Sequence, residues 1–185
     1  MLAYVFWHWR QAAAAAEEYE ARQRAFHHAL AADPPRGFLR STTAAVSGAP
    51  WAAAGGAAYE DWYLLDGIPA LEPLNEAAVT GARQRPHDSA AALAAGGTAG
   101  LYALRAGVAV QAPTHAAWFG KPAGMLYPAL FDELAPLVTA SGAALWMRQM
   151  VLGPTPEFCL HASTRADLPP RYAPLHLRLH PVWPV

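Results

Sequence analysis

The sequence contains few charged residues, one cysteine and one lysine. Only 15% of its 185 residues are charged, the net charge is −1, and Cys159 and Lys121 are the single cysteine and lysine. One cysteine excludes an intrachain disulfide and suits a reducing compartment, so we expect a cytoplasmic protein. Without a basic cluster the chain has no electrostatic footprint for nucleic acid or an anionic membrane.

The sequence also lacks a membrane-targeting signal and a metal-binding motif. Residues 1–9 are apolar, but they are too few to span a bilayer and lack the basic start of a signal peptide, so we expect them to form a strand. There is no His-Glu-x-x-His motif and no cysteine pair. His176 and His180 would lie about 13 Å apart along a strand. The sequence therefore predicts no metal site.

Hydrophobic residues make up 54% of the chain and follow strand and helix periodicities. Alternation predicts strands over 1–9, 38–46, 59–65, 100–105, 108–118 and 175–180. Helical spacing predicts helices over 11–32, from 68 to about 79, and over 125–141. Residues 83–86 are expected to break a helix, and Asp88 or Ser89 to cap a short one that ends at Gly96 and Gly97.

A β-hairpin is predicted over residues 143–163, around the loop Gly153-Pro154-Thr155-Pro156. A four-residue loop would place Leu152 opposite Glu157, Met150 opposite Cys159, and Arg148 opposite His161. This register would bring a guanidinium and an imidazole together on one face of the sheet, with Asp61 or Glu157 as the candidate carboxylate between them.

The order strand, helix, strand, strand, helix, strand is that of a ferredoxin-like unit, and it begins again near residue 107 without its second helix. This order resembles the dimeric α/β-barrel superfamily, which includes antibiotic-type monooxygenases and haem proteins. The resemblance implies an α+β fold in one domain, with two tandem ferredoxin-like units (1–106 and a truncated 107–185) whose mostly antiparallel sheets pack as a pseudo-dimeric barrel around a cavity. No cofactor is predicted. A haem held by His161 or His87, and a homo-oligomer, are alternatives that stay open.

In such a barrel we expect the aliphatic strand faces, such as Trp62 with Leu64 and Leu175 with Leu177 and Leu179, to pack on helices. The polar and aromatic faces would then line the cavity. They comprise Tyr4, Phe6 and His8; Tyr59, Asp61 and Tyr63; Trp146, Arg148, Cys159 and His161; and His176 with Arg178. The predicted ligand-binding residues are Arg148, His161, Trp146, Asp61, Tyr63 and His8. Arg148 would anchor an anion or carbonyl, and His161 is the candidate catalytic proton donor or acceptor.

A structural interpretation of the same residues stays open. Arg148 could form an ion pair with Asp61 or Glu157, His161 could be hydrogen-bonded only, and Cys159 could be a small buried apolar residue. Two functions follow: a small-molecule-binding barrel, such as a monooxygenase-like or other cofactor-light enzyme, or a non-catalytic, oligomerising barrel filled by its own side chains. An open cavity beside Arg148 and His161 favours the first, and a packed interior favours the second.

Overall fold

Eight antiparallel strands close into a barrel in a computed structural model that describes residues 1–52, 58–150 and 153–184. The strands are β1 (Leu2–Arg10), β2 (Phe38–Val46), β3 (Ala58–Leu65), β4 (Ala94–Gly107), β5 (His115–Phe119), β6 (Ala144–Gln149), β7 (Phe158–Ala162) and β8 (Leu175–Trp183). Around the barrel they follow the order β1-β3-β2-β8-β5-β7-β6-β4. The α+β class and the antiparallel sheet are thus as predicted.

Four helices pack outside the barrel: α1 (Ala16–Ala32), α2 (Leu71–Ala78), α3 (Gly81–Ala91) and α4 (Tyr127–Ser141). The first helix begins five residues later than predicted, because Gln11 is bound elsewhere. Its N–H donates to the Leu93 carbonyl at 2.8 Å, and its side-chain amide donates to the Ala92 carbonyl at 2.9 Å. Among the described residues, no helix is long and apolar enough to cross a membrane.

The region between α2 and β4 differs from the prediction. Residues 83–86 lie inside α3, where the Arg83 guanidinium donates to the Ala77 carbonyl at 2.8 Å and to Asp33 Oδ2 at 2.7 Å. These bonds fasten α3 to its neighbours in spite of Pro86. Gly96 and Gly97 do not end a helix either, because both belong to β4.

Gly97 is required where the first strand meets the fourth. A Cβ at this position would lie 2.4 Å from Cζ of Phe6, so the Phe6 ring occupies the space that a side chain would need. The missing side chain lets Phe6 lie flat across β4.

The two faces of the sheet carry different chemistry, and the predicted faces are reversed on β1, β3 and β8. The barrel interior holds the apolar alternation, including Val5, Trp7, Trp62, Leu64, Leu177 and Leu179. The opposite face of β1 and β3 contacts the helices through Leu2, Tyr4, Phe6, Tyr63 and Leu65. The interior of a small barrel is filled by side chains and leaves little room for water to solvate polar groups, whereas α1 supplies polar partners on the outer face, such as Tyr19 for His8 and His27 for Asp61.

On β6 and β7 the predicted face is right and the predicted register is wrong. Trp146 lies opposite Cys159 inside the barrel, and Ala144 lies opposite His161. The Arg148 N–H donates to the Glu157 carbonyl at 2.8 Å, so Arg148 is the partner of Glu157 and not of His161. The turn is longer than four residues, with Met150 at a left-handed φ of 58°. Leu152, which was expected opposite Glu157, lies outside the described residues.

Candidate functional site

A large cavity lies between the outer face of β1 and β3 and the helices α1, α2 and α3. Its volume is about 500 Å³. Most of its wall is apolar and aromatic, with the rings of Tyr4, Phe6, Tyr19, Phe26 and Tyr63. A cavity of this size and lining suits a small organic molecule.

A buried carboxylate, Asp61, lines this cavity beside His8, and a second histidine, His27, contacts the carboxylate from outside the lining. Asp61 Oδ1 lies 3.2 Å from Nε2 of His8, and Asp61 Oδ2 lies 3.4 Å from Nε2 of His27. Neither contact meets the geometry of a hydrogen bond. The Tyr63 hydroxyl donates to Oδ2 at 2.9 Å. Oδ2 therefore has two partners and Oδ1 has only His8.

Each histidine is held by a hydroxyl at its other nitrogen. His8 Nδ1 lies 2.6 Å from the Tyr19 hydroxyl, and His27 Nδ1 lies 2.7 Å from Oγ of Ser41. With the Nε2–H of His8 toward Asp61, its Nδ1 accepts the tyrosine O–H. The arrangement is a chain of hydroxyl, imidazole, carboxylate, imidazole and hydroxyl.

The surroundings keep Asp61 ionised and the tyrosines protonated. Burial raises the pKa of Asp61, but the charges of His8 and His27 and their contacts with the carboxylate outweigh burial, and the net pKa lies well below its usual range. Burial and the nearby Asp61 raise the pKa of Tyr63 and of Tyr19. The carboxylate is thus the fixed negative charge of the cavity.

The remaining polar lining comes from Gln23 on α1, Asn75 on α2 and His87 on α3. Within the described part of the chain, no arginine or lysine lines the cavity. The charge of the lining therefore disfavours a carboxylate or phosphate ligand.

The barrel interior is a separate compartment, filled mainly by tryptophans. Trp62 packs against Trp146 with ring centroids 5.2 Å apart, and against the ring of His161 at 4.2 Å. The pocket that borders Glu60 there has a volume of about 10 Å³, room for one water molecule. The interior is packed, as the structural alternative expected, while the open cavity lies on the helix side.

Glu60 is the buried charge of the interior. It accepts hydrogen bonds from the indole N–H groups of Trp7 at 3.3 Å and Trp62 at 3.1 Å. His161 Nε2 lies 3.4 Å from Glu60 Oε1. The carboxylate beside His161 is therefore Glu60, and not Asp61 or Glu157 as predicted.

Arg148 lies at the end of the barrel and donates to the carbonyls of Gly153 and Thr155 in its own turn. Glu157 accepts instead from the Tyr127 hydroxyl at 2.6 Å. Both ion pairs suggested for Arg148 are therefore absent among the described residues. Its guanidinium organises the turn.

The six predicted ligand-binding residues thus divide between three places. His8, Asp61 and Tyr63 share the helix-side cavity, Trp146 and His161 are inside the barrel, and Arg148 is at its end. The predicted site missed four residues: Tyr19, Gln23, His27 and Ser41. The first three follow one another at intervals of four on the buried side of α1, a polar stripe that helical periodicity could have revealed.

Neither histidine suggested for a haem fits one. His161 is enclosed by Glu60 and Trp62 in the packed interior, which leaves no room for a porphyrin. His87 borders the cavity, but the described lining offers no cation for the propionates. Among residues 1–52, 58–150 and 153–184, no three His, Cys, Asp or Glu side chains are placed to hold a metal ion.

No model of a protein family matches the sequence, and no curated protein matches it. Solved structures that share the fold include two described as monooxygenases. One is a "putative monooxygenase" of Fusobacterium nucleatum, with a TM-score of 0.65 at 8% identity, over 98% of this chain and 92% of that one. The other is a "putative monooxygenase" of Lactobacillus acidophilus, with a TM-score of 0.58 at 10% identity, over 98% of this chain and 94% of that one. At these identities the likeness concerns the fold alone.

Proposed function

We propose that this protein binds a small, uncharged molecule with an apolar or aromatic body and an ionisable hydroxyl group, and accepts its proton. The observation that carries the proposal is the Asp61–His8 pair in the wall of a cavity of about 500 Å³. A carboxylate that orients an imidazole is a common arrangement for general-base catalysis. Site residues are thus proposed on the helix side, with His8 in the role first suggested for His161.

The proton would pass through Tyr19. Both nitrogens of His8 are engaged, Nε2 with Asp61 and Nδ1 with the Tyr19 hydroxyl. The ligand hydroxyl gives its proton to the Tyr19 oxygen as Tyr19 gives its own to Nδ1. His8 then carries both ring protons beside the Asp61 carboxylate, and Tyr19 stays neutral, as its raised pKa favours.

Oxygenation is the second candidate, supported by the two structures described as monooxygenases. Proton removal makes a hydroxylated arene a better electron donor toward dioxygen. Within such a reaction, the residues of this chain would bind the substrate, take its proton and keep water from the cavity.

The architecture supports a finer proposal. In the barrel, β4-β1-β3-β2 is the strand order of a ferredoxin-like unit, in which the fourth strand comes first, followed by the first, third and second. The order β8-β5-β7-β6 is the same when β5 is counted as the first strand of a second unit. We propose two tandem units, about 1–106 and 107–185, in one domain of the dimeric α/β-barrel superfamily. β4 ends at Gly107, which agrees with this division to within one residue.

The non-catalytic alternative rests on the packed interior around Trp62. If it holds, the function lies in assembly, and a homo-oligomer is proposed. Native mass spectrometry of the protein from its own host tests both ideas at once, because the mass reports the number of subunits and any retained ligand.

A chromogenic phenol tests the proposed function directly. When 4-nitrophenol gives up its proton, the nitrophenolate band appears in the visible spectrum. We expect the protein to bind the probe and increase this band at a pH where the free phenol is largely protonated. Tyr19→Phe should keep binding and lose the increase, because its ring remains and its hydroxyl is gone.

The matched control is His180→Gln, an exposed histidine of β8 that does not line the cavity. It should behave as the unchanged protein does. No binding, or an equal increase in Tyr19→Phe, would contradict the proposed site.

A further inference from the structure

We propose that His27 is a positioning residue that lowers the proton affinity of the Asp61–His8 pair and so keeps that pair ready to accept a proton. The inference deepens the proposed function, since it concerns regulation of the same site. It starts from an asymmetry: His8 lines the cavity, and His27 does not.

His27 contacts two residues that line the cavity, Asp61 and Tyr63, but does not line it itself. Its side chain is fully buried on the inner side of α1, and its ring stacks on that of Tyr63 with centroids 5.4 Å apart. Nδ1 is held by Ser41 at 2.7 Å, which points Nε2 at Asp61 Oδ2, 3.4 Å away. Its effect on a proton at His8 is therefore transmitted through the Asp61 carboxylate.

Oδ2 is the oxygen on which His27 acts. It receives the Tyr63 hydroxyl and faces the Nε2 edge of His27, while Oδ1 faces His8 alone. Positive edges beside Oδ2 stabilise the ionised carboxylate and weaken its pull on a further proton. A proton that enters the pair therefore resides on His8 and leaves again readily, because His27 and His8 compete for one negative charge.

Other titratable groups face this pair from each packed element. They are Tyr4 on β1, Tyr59 and Tyr63 on β3, Tyr19 on α1, and His87 on α3 across the cavity. The pKa of the Tyr4 and Tyr63 hydroxyls is raised by burial and by Asp61, so both hydroxyls stay protonated and add no charge beside the pair.

The test is an NMR titration of the His8 ring protons in the ligand-free protein, with the signal assigned by its loss in His8→Gln. In His27→Leu we expect the pH midpoint of proton uptake at His8 to rise by roughly one unit, a tenfold higher proton affinity. His27→Gln keeps an N–H near Oδ2, and its midpoint should rise by less. His28→Gln, at the exposed neighbouring position on α1, should not move it.

Ser41→Ala covers the case in which His27→Leu does not fold. It removes the hydroxyl that holds Nδ1, and it should move the midpoint in the same direction by a smaller amount. A midpoint unchanged in the variants that fold, or a rise in His27→Gln as large as in His27→Leu, would overturn the inference.

The 4-nitrophenol assay separates this outcome from failure of the proposed function. The pH below which the protein no longer takes the proton of 4-nitrophenol should shift together with the NMR midpoint of His8 in every variant. If wild-type protein does not bind 4-nitrophenol but the His8 midpoint still rises in His27→Leu, the proposed ligand binding is refuted and the role of His27 is supported. Wild-type protein that binds the probe, with a midpoint unmoved in His27→Leu, would refute only the role of His27.

Discussion

Replacing Glu60 by leucine should strongly destabilise the barrel. The leucine is similar in volume, but it removes the acceptor of two buried indole N–H groups, those of Trp7 and Trp62, and the charge partner of His161. An orphaned buried donor costs about 1 to 3 kcal/mol. Removing one member of a buried ion pair costs about 3 to 5 kcal/mol.

These costs overlap, so we expect the free energy of unfolding to fall by about 3 to 5 kcal/mol. That is a large part of the 5 to 15 kcal/mol typical of a domain. Glu60→Gln should cost less, because its amide oxygen still accepts from one indole.

Urea denaturation followed by tryptophan fluorescence measures the change, since Trp7 and Trp62 lie in the barrel that unfolds. Glu76→Leu, at an exposed position of α2, is the control for losing a carboxylate and should change stability by less than about 0.5 kcal/mol. A Glu60→Leu protein within about 1 kcal/mol of wild type would show that the interior groups are satisfied in another way.

Three further predictions concern other parts of the molecule. Because the pKa of Asp61 is depressed in the fold, its ionisation stabilises the protein above the usual aspartate pKa of about 4, and this contribution is lost as the pH falls below that value. The difference in unfolding free energy between wild type and Asp61→Asn should therefore become smaller as the pH is lowered. A difference that does not change with pH would argue against this role of Asp61. Gly97→Ala would force the Phe6 ring out of its place and should lower the melting temperature and weaken 4-nitrophenol binding, whereas an unchanged affinity would show that Phe6 does not shape the cavity. Burial, and to a lesser extent the charge of Glu60, raises the pKa of the Cys159 thiol. The native protein at pH 8 should therefore react with a thiol reagent only after denaturant is added. Fast labelling of the native protein would contradict the packed interior.

Periodicity predicted the elements well, because it reports on local structure. β2 spans Phe38–Val46 as predicted, and Gly142 ends α4 in the left-handed conformation with a φ of 59°. Element order also predicted the α+β class with antiparallel strands, which the closed barrel has.

The face assignments failed on three strands because both faces are buried in this architecture. Every residue of β3 is buried, from Ala58 to Leu65. Alternation then shows that two faces exist without showing which one lies inside. Residue size was the better guide, because the interior is filled by large apolar rings such as Trp62.

Of the predicted ligand-binding residues, His8, Asp61 and Tyr63 lie together on one face of paired strands. Their partners on α1 were missed because hydrophobic spacing selected Phe26 and Leu30 and passed over His27 on the same buried side. The register of β6 and β7 was missed because Arg148 folds back on its own turn, which no pairing rule includes.

Glu60 and Asp61 are consecutive, and their carboxylates face opposite sides of one sheet. The sheet therefore separates two carboxylates: Glu60 lies beside His161 on the inner side, and Asp61 lies beside His8 and His27 on the helix side. With the carboxylates roughly 10 Å apart and an effective dielectric constant near 20, they interact by about 1.7 kcal/mol. Neutralising Glu60 should thus lower the proton affinity at Asp61. In Glu60→Gln, the acid limit of the 4-nitrophenol response should therefore move to a lower pH. A substitution inside the barrel would then change how the protein responds to a ligand that the substituted residue does not contact.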